Sequence, residues 1–487
     1  MLKLIQDGYE MVVGLEVHIQ LKTRSKLFCS DTNAFGAPPN TNTSVISLAH
    51  PGTLPRINET AVAFACRLGI ATSAEIAPVS IFDRKNYFYP DLPKGYQITQ
   101  NLNSICKGGY LDLRYARNAE RVFIHKMHIE EDAGKSIHDL DEHFTLLDLN
   151  RAGVPLLELV TEPCIHHPEI AAAFFSELRT LVMFLGICDG NMQEGSLRCD
   201  ANISIRPEGA QWLGIRTEVK NMNSFKNLKR ALEFEFKRQL ELVKKGEAVK
   251  QETRGFNPLT GSTVRMRNKE MAYDYRYFPD PDLPPLCISE SYIESVKKNM
   301  PVSVSQIRDF YIKNYQIKPE DAVILTESPD FVQYFDKLLE ICNPILAANW
   351  MIQNIRPYLS NEGRDIASFL ITPDRLKQLM DRCNEGRINI RDGKFRLLAA
   401  IEAYPHSPIQ EIIQKMGLWI EVNDGEELVL LIQQVLEENP KEKARLLART
   451  KNLQGWFIGE VMKKSGGKLD PKKVASVFQE IISNNNL

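Results

Sequence analysis

Met11-Val-Val-Gly-Leu-Glu-Val-His-Ile-Gln20 alternates apolar and polar residues from Gly14 onward, and this stretch decides the reading of the first half of the chain. Period-two alternation is the signature of a strand with one buried face. It puts Glu16 and His18 on the same side, opposite Val17 and Ile19. A carboxylate and an imidazole two residues apart on one strand face can converge on one ligand. Similar strand-like runs follow at 122–129, 144–149 and 201–206, separated by Gly, Pro and Asn, and apolar residues three or four apart predict helices over 168–187 and 225–246. The expected fold class of residues 1–293 is therefore α+β, with an antiparallel or mixed sheet. Phe278-Pro-Asp-Pro-Asp-Leu-Pro-Pro285 breaks any helix or central strand and closes this block.

The remainder reads as helical. Val304–Lys313, Phe331–Ile341, Ile345–Tyr358 and Asp374–Glu385 carry apolar residues at i, i+3 and i+4, giving a helical domain over 294–406 and a small helical tail domain over 407–487. The whole chain of 487 residues is nearly neutral, with 60 Lys+Arg against 62 Asp+Glu. A uniform positive field is thereby excluded, and any nucleic-acid grip must be local. The tail supplies such a patch: residues 441–473 hold ten bases against three acids, among them Lys451, Lys463, Lys464 and Lys468. A solvated helix face is the plain alternative for such a run.

No apolar stretch reaches the roughly 18 residues of a membrane span, and the N-terminal residues do not form a signal peptide, so a cytoplasmic chain without a membrane partner is expected. Nine scattered cysteines with no CxxC suggest reduced thiols. Asp132-Ala-Gly-Lys-Ser136 ends like a phosphate-binding P-loop, but Ile129 stands where its first glycine belongs. No GxGxxG or GxSxG occurs, nor a Ser- and Gly-rich stretch of the kind that carries an amidase nucleophile.

The acidic residues point to a different site. Besides Glu16 and His18, His128, Glu130 and Glu131 crowd one strand exit, and Glu158, Asp200 and Glu218 sit in strand-like contexts. Converging carboxylates repel unless a hard divalent cation neutralises them. Arg198, Lys220 and Arg254 each lie two residues from an acid and are candidate phosphate clamps. Cross-strand ion pairs would explain the same spacing. Phe82-Asp-Arg-Lys-Asn-Tyr-Phe-Tyr-Pro90 and Tyr273-Asp-Tyr-Arg-Tyr-Phe-Pro279 interleave aromatics with bases, a composition suited to stacking a nucleobase and to a cleft wall.

Taken together, Val13-Gly-Leu-Glu-Val-His18, Phe82–Asp91, His128-Ile-Glu-Glu-Asp-Ala-Gly-Lys135, Asp148-Leu-Asn-Arg-Ala-Gly-Val-Pro-Leu156, Glu194–Ser204, Glu218–Phe225 and Asp274–Asp280 resemble the kinase and transamidase component, the B-type subunit, of the tRNA-dependent amidotransferases. The heterotrimeric bacterial and organellar type is the better match. The resemblance runs in order over 11–286 and continues more weakly into the tail. It implies a glutamine-synthetase-like cradle that uses ATP and Mg²⁺ to activate the side-chain carboxylate of misacylated Glu-tRNA(Gln) or Asp-tRNA(Asn). Ammonia would come from a partner amidase subunit, and a small linker subunit would tie the two together. Within that resemblance, Glu16, His18, Glu131, Glu158, Asp200 and Glu218 are the expected metal residues. Glu16, His18, Glu131 and Lys220 are the expected catalytic ones, Arg198, Lys220 and Arg254 would bind ATP phosphates, and the four tail lysines would bind tRNA. Many relatives carry two Cys pairs as a zinc site after the first strand. Here the positions read Cys29, Asp31, Ser44 and Ser47, so no structural zinc is expected. A non-catalytic tRNA-binding chaperone and a free-standing ammonia ligase of the glutamine-synthetase type are the competing readings.

Overall fold

The computed structural model describes residues 2–115, 118–266, 274–385, 387–388, 394–419, 426–447, 453–465, 469 and 471–483. The chain packs as two compact units, Met1–Gln306 and Ile307–Leu487.

The first unit is mixed α/β and is built on Tyr9–Gln20, which lies inside an eleven-stranded sheet. From one edge the order runs Ser262–Arg265, Glu252–Asn257, Thr217–Lys220, Leu197–Pro207, Tyr9–Gln20, Pro155–Thr161, Asn118–Glu131, Cys106–Lys107 and Glu75–Ile76, and two further strands pair off this path, Ile5–Gln6 on Tyr9–Gln20 and Tyr110–Tyr115 on Asn118–Glu131. Neighbours are antiparallel except Thr217–Lys220 beside Glu252–Asn257. A parallel pair needs a crossover, and the helix Phe225–Lys244 provides it.

Alternation sorts the two sheet faces. Val13, Leu15, Val17 and Ile19 are fully buried on one face together with Leu157, Leu159, Ala201 and Ile203, under the helices Glu59–Ala71, Pro168–Phe184 and Phe225–Lys244. Each such aliphatic side chain contributes about 1.5–3 kcal/mol of burial. The helices start where local chemistry directs. His167 caps Pro168–Phe184 by accepting from the Glu169 N–H, with proline at the first helical position, and the Ser224 hydroxyl accepts the Asn227 N–H at 3.1 Å. The opposite face of the sheet carries the polar residues.

A three-stranded sheet, Phe278–Pro279, Asp83–Asn86 and Tyr96–Thr99, stands beside the exit of Asn118–Glu131. The proline-rich stretch thus contributes only an edge strand, where a missing N–H is tolerated.

Among its described residues, the second unit has helices and two separate hydrophobic clusters. One spans Tyr311 to Ile413 and the other Leu428 to Ile481. The run expected as one helix over 345–358 is divided into Pro344–Trp350, a π-turn Met351–Ile355, and Arg356–Asn361. Pro357 lacks the N–H that would continue the regular ladder. Among the described residues no helix is long and apolar enough to cross a membrane, and all nine cysteines are free thiols.

Candidate functional site

Register brings the polar residues of five strands to one sheet face. His18 lies opposite Glu158 on one side and Arg198 on the other, and Glu16 lies opposite Asp200. Glu158 also faces His128, and Asn202 faces Glu218. Because strand side chains alternate, Glu130 shares the His128 face and Glu131 does not.

The centre of this face is a group of two imidazoles and two carboxylates. His18 Nε2 is 3.4 Å from Glu158 Oε2 and 3.6 Å from Glu130 Oε1, while His128 Nε2 is 3.2 Å from Glu158 Oε2 and 3.5 Å from Glu130 Oε2. One donor atom each from His18, Glu130 and Glu158 lies within 4.8 Å of the others, a spacing that a single cation can span. His128 is buried, and its Nδ1 has no hydrogen-bond partner among the described residues.

The electrostatics follow from crowding. Burial pulls the His18 and His128 imidazoles down, but hydrogen bonds and charge from Glu158 and Glu130 outweigh it, leaving His18 raised and His128 at about 9. Burial raises Glu158, and the two histidines more than reverse this, holding it well below the usual carboxylate range. Glu16 differs, because burial and the charges of Glu158 and Glu218 push it up, opposed by Asn202 Nδ2, donating at 2.8 Å, and by the charge of Lys220. The two carboxylates thus favour positive charge between them, on the imidazoles or on a bound cation. Two carboxylates and an imidazole fit a divalent metal, with Glu16 alongside.

Lys220 stands at the side of this face, with Nζ 2.8 Å from Asp200 and 2.9 Å from Glu218. After its own burial cost, those two carboxylates hold the ammonium firmly protonated. Arg198 donates through Nη2 to Asp132 at 2.9 Å, and its buried Nε has no partner among the described residues. Gly153 adopts φ +84° and donates to the Asp132 carbonyl at 2.9 Å, fixing the turn behind Asp132.

Two expected site residues are not brought to the group. Glu131, one position past Glu130, accepts the Ile98 N–H at 2.9 Å and pairs with Lys94 on the wall of a cavity of about 200 Å³. Arg254 pairs in register with Val219, not with Glu218, so it points to the helix-covered face. There its guanidinium is taken up by Glu252 at 2.8 Å, Glu235 at 3.1 Å and the Thr263 carbonyl at 2.8 Å. Conversely, Glu130 and His128 are central to the group although neither is in the expected set. Alternation counted back from the strand end is the signal that selects them.

Cys29, Asp31, Ser44 and Ser47, where no structural zinc is expected, assemble around a carboxylate. Asp31 Oδ2 accepts the Ser44 N–H at 2.9 Å and the Ser47 hydroxyl at 2.5 Å. Burial raises Asp31, but hydrogen bonds from Ser47, Ser44 and Cys29 hold it below its ordinary value. In the tail, Lys463 is 79% exposed and Lys464 pairs with Glu438, whereas Lys451 and Lys468 lie outside the described residues.

This geometry can be set beside known proteins. Residues 11–294 match the model of the GatB/GatE catalytic domain, and 333–482 match that of the GatB domain. The chain belongs to the GatB/GatE family. The matched span holds every residue of the carboxylate–histidine face. Relatives named as the B-type subunit of aspartyl/glutamyl-tRNA(Asn/Gln) amidotransferase occur in Thermodesulfovibrio yellowstonii, at 43% identity over 97% of this chain and 99% of the relative, and in Geobacter sulfurreducens, also at 43% with the same coverage. A relative of the same name from Synechocystis is 41% identical over 98% of this chain and 99% of its own length. Family membership therefore extends over the whole chain, from catalytic domain to tail.

Proposed function

We propose that this chain activates, with ATP and Mg²⁺, the side-chain carboxylate of glutamate carried on tRNA(Gln) or aspartate carried on tRNA(Asn), so that ammonia can replace the activated oxygen. The observation that carries the reading is the group His18, His128, Glu130 and Glu158, flanked by Glu16, on a family catalytic domain. The relatives' name states the tRNA-linked amidotransferase reaction.

An ionised carboxylate resists attack by ammonia because no good leaving group departs from it. Phosphorylation supplies one, and the charge that develops on the transferring phosphoryl must be balanced. His18, Glu130 and Glu158 would hold the divalent cation, with Glu16, Asp200 and Glu218 lining its surroundings. When bound, the cation would neutralise phosphate oxygens and align the phosphoryl group. Lys220, kept protonated between Asp200 and Glu218, places a positive charge on the same face, and Arg198 has an Nε without a partner among the described residues. One oxygen of Glu131 is committed to the Ile98 N–H and Lys94, away from the His18, Glu130 and Glu158 group.

The reading extends to the rest of the chain. The sheet forms a glutamine-synthetase-like cradle in a cytoplasmic protein without structural zinc, and 294–406 and 407–487 act as helical spacer and tRNA-binding tail. A partner amidase supplies ammonia, and a small linker protein joins it to this chain. A chaperone without chemistry would have no use for a buried and a half-buried histidine facing two carboxylates. A free ligase would have no use for the basic tail.

The test is reconstitution with the amidase and linker proteins and replacement of His18 or Glu158 by Ala. Loss of ATP- and Mg²⁺-dependent amidation by 100-fold or more, roughly what loss of an essential electrostatic group costs, is expected. Undiminished amidation would sink the metal assignment.

A further inference from the structure

The two aromatic, basic segments quoted from the sequence, 82–90 and 274–279, lie almost 200 residues apart, yet they build one surface. Phe278 pairs with Arg84 and Pro279 with Asp83, and Asn86 ties the incoming chain by donating from Nδ2 to the carbonyls of Tyr275 at 3.1 Å and Arg276 at 2.9 Å. Arg276 sits at φ +45°, an uncommon conformation for a long side chain. This bend sets Tyr275 and Tyr277 edge to face, 5.9 Å apart. Tyr87 then packs on Tyr275 at 6.1 Å and on Tyr89 at 5.8 Å, and Lys85 Nζ lies 4.8 Å from the Tyr275 ring and 5.7 Å from the Tyr87 ring. Tyr277 and Tyr89, the two ends of the series, are each about two-fifths exposed.

The same small sheet points this surface at the carboxylates. Asp83 pairs with Thr99 and Lys85 with Gln97, so these residues share a face. Thr99 donates to Glu130 at 3.1 Å, and Gln97 donates to the Glu131 carbonyl at 2.8 Å. Burial, then Tyr275 and the charges of Glu130 and Glu158, push the Tyr277 phenol up to about 12, so the ring stands neutral within the field of the metal group.

We infer that Lys85, Tyr87, Tyr275 and Tyr277 form a stacking wall for an adenine nucleoside, with Lys85 drawing its phosphate toward the carboxylate–histidine group. The inference rests on the function proposed above and deepens it. Two substrates of that reaction carry adenosine, ATP and the 3′ end of tRNA, and both must bring their reacting atoms to the same group. A neutral aromatic series beside a single ammonium suits a base with a phosphate attached. A core packing role would bury the ends of the series, and they are exposed.

The experiment uses the assembled three-protein complex with Tyr277→Ala, Tyr275→Ala, Tyr277→Phe and Lys85→Met. It reads the KM for ATP, the Kd of a non-hydrolysable ATP analogue, and the KM for misacylated tRNA. Loss of one stacking partner should raise the affected constants about tenfold or more, with Tyr277→Phe near wild type and Lys85→Met raising the same constants. A change confined to the ATP constants assigns the wall to the nucleotide, and a change confined to tRNA assigns it to the terminal adenosine. If the Ala variants and Lys85→Met leave all three constants unchanged, whatever happens to kcat, the inference is overturned and the proposed function stands. An unaltered complex that neither binds the ATP analogue nor amidates tRNA overturns both.

Discussion

Replacing Glu158 with Gln removes one of the two carboxylates that both histidines share, the one nearer to each, and its cost can be worked from the site. Moving His128 from 6.5 to about 9 corresponds to a net of about 3 kcal/mol in favour of the charged imidazole, after the cost of its burial is set against its carboxylates. Glu158 and Glu130 divide that, and Glu158 also holds His18, 3.4 Å away. The metal-free variant should therefore lose about 2–3 kcal/mol, at the lower edge of the roughly 3–5 kcal/mol for breaking a buried pair. The sign with pH is fixed. A raised histidine contributes stability that is complete below about 6.5 and is lost as pH rises through about 9. A lowered Glu158 contributes above its ordinary 4.5, and this is lost as pH falls through its depressed value. The difference between wild type and variant should thus be greatest between about pH 4.5 and 6.5 and shrink toward pH 9. Thermal unfolding in EDTA reads it as a drop of about 5 °C at pH 6, given roughly 2 °C per kcal/mol for a unit of this size. Equal melting temperatures at pH 6 would refute the pairing on which the site is built.

Three further outcomes follow from particular contacts. Lys220→Ala should abolish most amidation, whereas Arg254→Ala should destabilise the fold by about 1.5–3 kcal/mol, because it takes one guanidinium from Glu235 and Glu252, which keep Arg238 and Arg265, with kcat per folded complex retained; steady-state kinetics beside thermal melts separates the two, and equal loss of kcat would contradict the assignment of Arg254 to the helix-covered face. Lys463→Ala should lower the slope of log tRNA affinity against log salt by about one, and Lys464→Ala by less, since Lys464 is held closely by Glu438 whereas Lys463 is 3.8 Å from Glu460 and mostly exposed; identical slopes for both variants and wild type would remove this helix from the tRNA contact. Asp31→Ala should cost about 1 kcal/mol by removing the carboxylate that accepts from the Ser44 N–H and Ser47 hydroxyl, which keep their bonds to each other, with no response of the wild-type loop to a zinc chelator; a zinc signal released from the purified chain would contradict this.

The sequence and the structure agree where a local pattern has only one interpretation. Alternation from Gly14 to Gln20 places Glu16 and His18 on one face, and the register shows that they share it with Glu158, Asp200 and Glu218. Helices at 168 and 225 are legible from their periodicity and start at His167 and Ser224. The helix Glu59–Ala71 is harder to read, since its alanines and glycine give a weak stripe. Crowding counted without parity does not separate Glu130 from Glu131, which entered the expected set through the resemblance, and nearness to an acid favours Arg254 without saying which face a strand residue takes. Parity along a strand is local, but which strands are neighbours is not. The pairing of Val219 with Arg254 depends on a parallel crossover that no short motif encodes.

The central claim is that the substrate carboxylate is phosphorylated before ammonia attacks. The most direct measurement follows ¹⁸O from the labelled side-chain carboxylate of glutamate on tRNA during amidation by the assembled complex. One ¹⁸O appearing in inorganic phosphate for each amide formed is the predicted result. Phosphate free of label, with amide formed at the normal rate, would contradict it.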